Sequence, residues 1–255
     1  MILAAYNPKG GVGKTTTAVN VAAVLARMGR SVLVVDLESD MNASISLGVR
    51  PAQSRPSIAE VLLAQHRPVD AVRRVAAIEN LHLITGSPAL TDVDRALQHV
   101  RQPERRLADT IRPLAGAFDV IVLDCPGGYS LLAGSVPEAA DHLIVPIRAD
   151  YLSLESLAHF MRWYQGRRVL RRGAARLTGI LLTMVDYRRR ATSEVVEILR
   201  VHNRRGVFRT EIPEDPRAGE APSHGIPLVA YGRTRAALAY ERMTRELLAR
   251  LRRPR

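Results

Sequence analysis

Of the 37 basic residues in this 255-residue chain only two are lysine, Lys9 and Lys14, and both fall in one glycine-rich run, Pro8-Lys9-Gly10-Gly11-Val12-Gly13-Lys14-Thr15-Thr16. Where nearly every other cation is a planar guanidinium, two compact, swivelling ammonium groups mark a place that needs a point charge, and phosphate is the group that asks for one. The run closes with Gly13-Lys14-Thr15, the end of a phosphate-binding loop, in which small residues let backbone N–H groups surround phosphate oxygens. Gly10, Gly11, Val12 and Gly13 supply that backbone, Lys14 reaches the outer phosphates, and the Thr15 hydroxyl is placed for Mg2+. Thr16 adds a donor at a helix start, where the dipole already favours an anion. The flanks agree: residues 2–6 read as a short buried strand and residues 15–28 as a helix closed by Gly29.

Strand, loop and helix in that order predict an α/β fold, and the rest of the chain repeats the alternation. Residues 31–36 form an apolar strand ending at Asp36; residues 118–123 form another, which delivers Asp124 to the edge where a carboxylate holds the Mg2+ shell. Further strands are expected at 81–84, 143–146 and 181–184. Ser57-Ile58-Ala59-Glu60 reads as a capping box opening a short helix through Ala64, and helices are expected over 88–100, 103–114, 153–172, 192–205 and 233–252. The expected architecture is a doubly wound, mostly parallel sheet flanked by helices, with nucleotide at the carboxyl ends of its strands. No linker or repeat divides the chain, so residues 1–255 are read as one domain.

The strict loop pattern would put its first glycine at Pro8, which makes Lys9 the informative residue. Lys9-Gly10-Gly11-Val12-Gly13-Lys14-Thr15 resembles the deviant Walker A signature, K-G-G-x-G-K-T, of the ParA/MinD family of P-loop ATPases. The run from Asp36 to Ser44 is similar to that family's D-x-D-P-Q-G-N-A-S, and Glu220-Ala221-Pro222-Ser223-His224-Gly225-Ile226-Pro227 is similar to the E-A-P-S-H-G-x-P of Soj-type ParA members, which MinD-like members lack. The resemblance covers residues 2–248. It implies an ATP- and Mg2+-dependent ATP hydrolase in which Lys9 reaches the nucleotide of a second subunit, so that ATP drives homodimerisation. Lys9, Lys14, Asp36 and Glu38 are then the catalytic candidates, Pro213 and Asp215 the base contacts, and Thr15 and Asp124 the metal contacts. A ParB-like or cargo-adaptor protein that stimulates hydrolysis is implied as partner, with a chromosome or plasmid partition complex or a protein compartment as cargo.

The chain departs from the family pattern at several positions. The second acid of D-x-D is Glu38, Ser39-Asp40 replaces Pro-Gln, Gly127 stands for a proline, and Asp215 for an asparagine. Glu38 is one methylene longer than Asp, and a displacement of about 1 Å can cost about a hundredfold where geometry carries catalysis, so slow basal hydrolysis is expected.

Charge divides the chain. Residues 1–161 hold 15 Lys and Arg against 16 Asp and Glu, whereas residues 162–255 hold 22 Arg against 9 acids. An excess confined to the last third points to a polyanion such as duplex DNA, bound through phosphates without regard to sequence. Arginines matching Arg188 and Arg217 contact DNA in ParA proteins; Arg189 and Arg190 adjoin Arg188, and Arg233 and Arg235, opening the last helix, are further DNA-contact candidates. Aromatic residues are only 4% of the chain and none interleaves with these arginines, which disfavours stacking on single strands.

Two other classes compete. Met243, Leu247, Leu248 and Leu251, flanked by Arg245, Arg250, Arg252 and Arg253, fit an amphipathic helix on anionic lipid, as in MinD, although the stripe continues the register of Leu238 as a core helix would. A metabolic enzyme on the same loop, such as an amide ligase, would need a substrate pocket that no motif specifies. An iron–sulfur reductase of this type needs two cysteines per subunit, and Cys125 is the only one. The seven histidines show no metal-ligand spacing. With a strand starting at Ile2, no 18-residue apolar run and no preceding helix-turn-helix, the expected location is cytoplasmic and nucleoid-associated.

Overall fold

Apolar side chains that alternate between two faces build the centre of the molecule. The computed structural model describes residues 1–170 and 175–252, without the side chains of 167–170. Strands β1 (Ile2–Ala5), β2 (Val32–Asp36), β3 (Arg73–Arg74), β4 (Leu81–Ile84), β5 (Val120–Asp124), β6 (His142–Arg148) and β7 (Arg176–Thr183) form one sheet in the order β3-β4-β2-β5-β1-β6-β7. Every pairing is parallel except that of β3 with β4 at the edge. Ile2, Ala4, Leu33 and Val35 point into one core, and Leu3, Ala5, Val32 and Val34 into the other. With both faces covered, the strands read as continuous apolar runs, as a parallel sheet requires.

The helices are α1 (Lys14–Arg27), α2 (Asn42–Ser46), α3 (Ile58–Leu62), α4 (Leu90–Leu97), α5 (Arg106–Ile111), α6 (Leu131–Ala139), α7 (Tyr151–Leu170), α8 (Arg190–Asn203), α9 (Arg217–Glu220), α10 (Leu228–Tyr231) and α11 (Arg235–Leu251). The capping box before α3 forms as read: the Ser57 hydroxyl accepts from Ala59 N–H at 3.2 Å, and Glu60 accepts from Ser57 N–H at 2.9 Å. The helix expected over 103–114 is interrupted, because Pro113 lacks an N–H; α5 ends at Ile111 and a 3₁₀ turn, Arg112–Gly116, follows. Helix α6 was not expected, since Gly134 and Pro137 obscure its pattern; it is started by Ser130 and by Asp94, whose carboxylate accepts from the N–H groups of Leu131 and Leu132 at 3.1 and 2.9 Å. The stripe of α11 is core: Met243 and Leu247 are buried against the face that also carries α1. The basic end expected of the helix over 153–172 and Arg253 lie outside the described side chains.

Candidate nucleotide site

At the carboxyl edge of the sheet, β1 runs into the loop that carries both lysines. Asn7, fully buried, fixes the entry by donating to the Pro146 carbonyl at 2.8 Å and accepting from Lys9 N–H at 2.9 Å. At the other end Gly13, with φ +83°, turns the chain into α1, a left-handed conformation that favours glycine. Thr183, at the end of β7, lies below this turn and donates to the carbonyls of Val12 at 2.9 Å and Ile147 at 3.0 Å. No side chain caps α1, so its first N–H groups face the loop, the arrangement that receives phosphate. Thr15 and Thr16 are half-buried at that helix start.

The two lysines have different destinations. Lys14 is buried; its Nζ stands 3.4 Å from the Lys9 carbonyl and 3.9 Å from Glu38. The Lys9 ammonium turns away, to the Ser153 hydroxyl at 2.9 Å and Asp150 at 3.4 Å at the start of α7. Asp150 is held below its ordinary value by its bonds to Ser153 and by Lys9, which outweigh its partial burial.

Three carboxylates, Asp36, Glu38 and Asp124, stand together beside the loop, each in a different state. Asp36 has its acceptors filled, by Glu38 N–H at 3.1 Å and by the N–H and hydroxyl of Ser44 at 2.8 and 2.6 Å. It therefore braces the loop that carries Glu38 rather than facing a substrate. Ser44 in turn accepts from Gly86 N–H at 3.1 Å. Glu38 is partly open, and its pKa is pushed up by burial against the opposing pull of Lys14. Asp124, paired in register with Asp36 across β2 and β5, is wholly buried, and neither of its oxygens meets a hydrogen-bond donor at ordinary geometry. Burial, and then the charges of Asp36 and Glu38, push it well above the usual carboxylate range; the facing Thr15 hydroxyl and Lys14 oppose this. An orphaned buried carboxylate beside a threonine hydroxyl and a loop of free N–H groups is what a hydrated Mg2+ carried by a nucleotide would complete. Among the described residues no cluster of three His, Cys, Asp or Glu could hold a metal without such help.

Gly127 and Gly128 follow Asp124 and Cys125 closely, and Gly128 N–H donates to the Pro8 carbonyl at 2.7 Å. A Cβ at Gly127 would stand 3.8 Å from Lys14 Nζ and 3.5 Å from the Pro8 carbonyl oxygen, so the segment after β5 lies directly against the loop.

The base and polyanion candidates lie further along. Pro213 pairs with Val185 and, with Arg188, Arg235 and Arg242, lines a cavity of about 870 Å³. The side chain of Asp215 is occupied by Arg217 N–H at 3.1 Å and Ala236 N–H at 3.3 Å, and so fixes the start of α11. Arg188 pairs with Asp186 at 2.8 Å, Arg189 with Glu214 at 2.9 Å and Arg190 with Glu194 at 2.8 Å. Arg217, Arg233 and Arg235 are exposed, with no acidic partner within ion-pair distance among the described residues. Sequence reading gave no role to Asn7, Asp94, Asp150, Ser153 or Thr183, although Thr183 lay in the strand expected at 181–184; Ser44 lay in the run singled out after Asp36.

A loop of this geometry, between an interior strand of a mostly parallel sheet and a helix, with acids at the ends of the adjacent strand β5 and of β2 beyond it, defines a P-loop nucleotide-binding domain. The family described as "AAA domain" matches residues 1–168. The chain is 36% identical to the chromosome-partitioning ATPase Soj of Thermus thermophilus over 98% of its length and 96% of that protein's. It is 34% identical to the chromosome partitioning protein ParA of Myxococcus xanthus over 98% of its length and 88% of that protein's. Among solved structures, cobyrinic acid a,c-diamide synthase from Mycobacterium smegmatis, with bound ATP analog and magnesium, superposes with a TM-score of 0.85 at 28% identity, covering 100% of this chain and 96% of that one. The chain belongs to the ParA/Soj group of partitioning ATPases within the ParA/MinD family.

Proposed function

We propose that this protein is an ATP-gated, dimerising ATPase that binds duplex DNA without sequence preference and uses that attachment to position or segregate a cargo. The observation that carries the reading is the divergence of the two lysines: Lys14 is buried beside Glu38, while Lys9 turns away from its own loop to Ser153 and Asp150 at 28% side-chain exposure, where the nucleotide of a second subunit would compete for it. Mg2+, held through Thr15 and Asp124 and carried by ATP, would supply charge neutralisation for the phosphates when bound. The chain's own residues do the rest: the loop N–H groups and Lys14 hold the phosphates, Asp36 fixes the Glu38 loop, and Glu38 orients the attacking water. Burial that raises Glu38 favours its taking a proton from that water. Two copies joined through ATP would set two arginine surfaces side by side, making the second DNA contact intramolecular and the footprint tighter. Hydrolysis, accelerated by an adaptor, would release both, in the cytoplasm and on the nucleoid.

Lipid attachment through α11 is disfavoured by the burial of Met243 and Leu247 in the core, and no described helix is long and apolar enough to cross a membrane. The test is duplex binding against salt with ATP, ADP or no nucleotide, for wild type, Lys9→Ala, Lys14→Ala and Arg217→Ala. ATP-dependent, salt-sensitive binding lost in all three variants is the expected result; wild-type binding that ignores nucleotide contradicts the gate.

A further inference from the structure

The opposite edge of the sheet carries a second concavity. It measures about 770 Å³ and opens where β6 and β7 begin and α8 and α11 end, with Arg176, Arg200, Arg204, Arg205, Arg209 and Arg250 in its wall and, among the described residues, Glu246 as the only carboxylate in its lining. Two of these arginines are scaffold. Arg200 pairs with Glu211 and donates to the Arg209 carbonyl at 3.2 Å. Arg250 pairs with Glu246 at 2.9 Å, donates to the carbonyls of Thr178 and Arg205 at 3.1 and 3.2 Å, and lies 4.2 Å over the Phe208 ring. Glu246 is further occupied by the N–H groups of Arg209 and Thr210 at 2.8 and 2.9 Å.

The other four, Arg176, Arg204, Arg205 and Arg209, are exposed and have no acidic partner within ion-pair distance among the described residues. Four exposed guanidinium groups around one hollow, without a carboxylate to pair them, give it a positive potential that favours an anion. We propose that this basin binds a compact polyphosphate, gripped by the forks of Arg176, Arg204, Arg205 and Arg209. Three features select that ligand. Guanidinium forks match phosphate oxygens in pairs. A volume of about 770 Å³ lies within the range of roughly 300–1,000 Å³ typical of small-ligand pockets, whereas a duplex presents its phosphates along a rod too wide to enter. The lining holds Ala249 and Leu251 but no flat aromatic face for a nucleobase beyond the His142 ring, whose Nδ1 is bonded to the Thr178 hydroxyl at 3.0 Å, so it is the phosphate chain that the pocket reads. His142 sits below the ordinary imidazole value through burial and the Arg176 charge, against the pull of Asp141, in keeping with a cationic hollow.

This site is separate from the nucleotide loop, and its test is made with that loop filled. Full-length protein saturated with Mg2+ and a non-hydrolysable ATP analogue is titrated calorimetrically with inorganic tripolyphosphate and, separately, with GTP, which distinguishes a free chain from a nucleotide tail. One-to-one binding of either supports the proposal, the tighter of the two naming the source. The paired substitution Arg204→Gln, Arg209→Gln should weaken it at least tenfold, while Arg95→Gln on α4 leaves it unchanged, and the His142 ring resonances should shift on binding only in the wild type and Arg95→Gln. Melting curves confirm that both variants are folded. The proposal is overturned if neither ligand binds once the ATP site is filled, if the paired variant binds as well as wild type, or if that variant loses duplex DNA while keeping tripolyphosphate.

Discussion

Asp124→Asn should stabilise the empty protein while impairing its use of nucleotide. In the wild type a wholly buried carboxylate stands beside two more, with the Thr15 hydroxyl and Lys14 facing it and no hydrogen bond of ordinary geometry on either oxygen. An uncompensated buried polar group costs about 1–3 kcal/mol, and more when charged; asparagine has the same shape, carries no charge and can donate toward the neighbouring acids. A gain of about 1–3 kcal/mol in a chain of this length raises Tm by roughly 2–12 °C. The pH dependence has a fixed sign. Folded Asp124 holds its proton to higher pH than the unfolded chain does, so folding takes up a proton in the window above the ordinary carboxylate value of 3.8, and wild-type stability falls as pH rises through it. Asparagine removes that share of the slope; Asp36 and Glu38, also raised, retain theirs. Differential scanning calorimetry from pH 5 to 8 in chelator reads the effect. Adding Mg2+ and an ATP analogue at a hundred times Kd should stabilise the wild type by about 2.7 kcal/mol and the variant far less, narrowing or reversing the order. A variant that melts below wild type at pH 7.5 without ligand, or that gains as much from Mg-nucleotide, would refute this account of Asp124.

Other substitutions test separate links. Glu38→Gln should keep nucleotide binding and lower phosphate release at least a hundredfold, in line with the 10²–10⁴ typical of a positioned base; unchanged turnover would remove Glu38 from the chemistry. In Gly179→Ala the new Cβ would stand 2.7 Å from the Phe208 ring and 2.8 Å from Arg250, so a loss of about 1–3 kcal/mol, with nucleotide affinity retained, is expected in denaturant melts. Ser57→Ala removes the capping box of α3 and should cost about 1 kcal/mol by the same assay.

Where the chain's local chemistry and its tertiary role coincide, the sequence was a sufficient guide. The apolar runs at 31–36 and 81–84 became β2 and β4 because a strand covered on both faces needs no polar alternation, and the lysines stood out because arginine fills every other basic position. Ser57 and Glu60 form a capping box from four adjacent residues, so nothing distant could override it. Elements defined by distant partners were not legible. β3 is two arginines that pair with β4 only because the chain returns beside it, and α6 starts on Asp94, 37 residues earlier. Thr183 and Ser153 gain their roles from carbonyl and ammonium groups more than 140 positions away. Asp36 illustrates the middle case: its place at the strand end was readable, but its saturation by Ser44 and the Glu38 amide depends on how the following loop folds back. The arginine excess was countable, yet which guanidiniums are already paired, as Arg188 and Arg189 are, required the positions of Asp186 and Glu214.

The claim on which the account turns is that ATP joins two copies through Lys9. Sedimentation velocity of the full-length protein with Mg2+ and a non-hydrolysable ATP analogue measures this directly, with ADP and Lys9→Ala as companions. A dimer in the wild type with the ATP analogue, and monomers in both companions, is the expected result; a wild type that remains monomeric at saturation, or a Lys9→Ala variant that dimerises equally well, would contradict it.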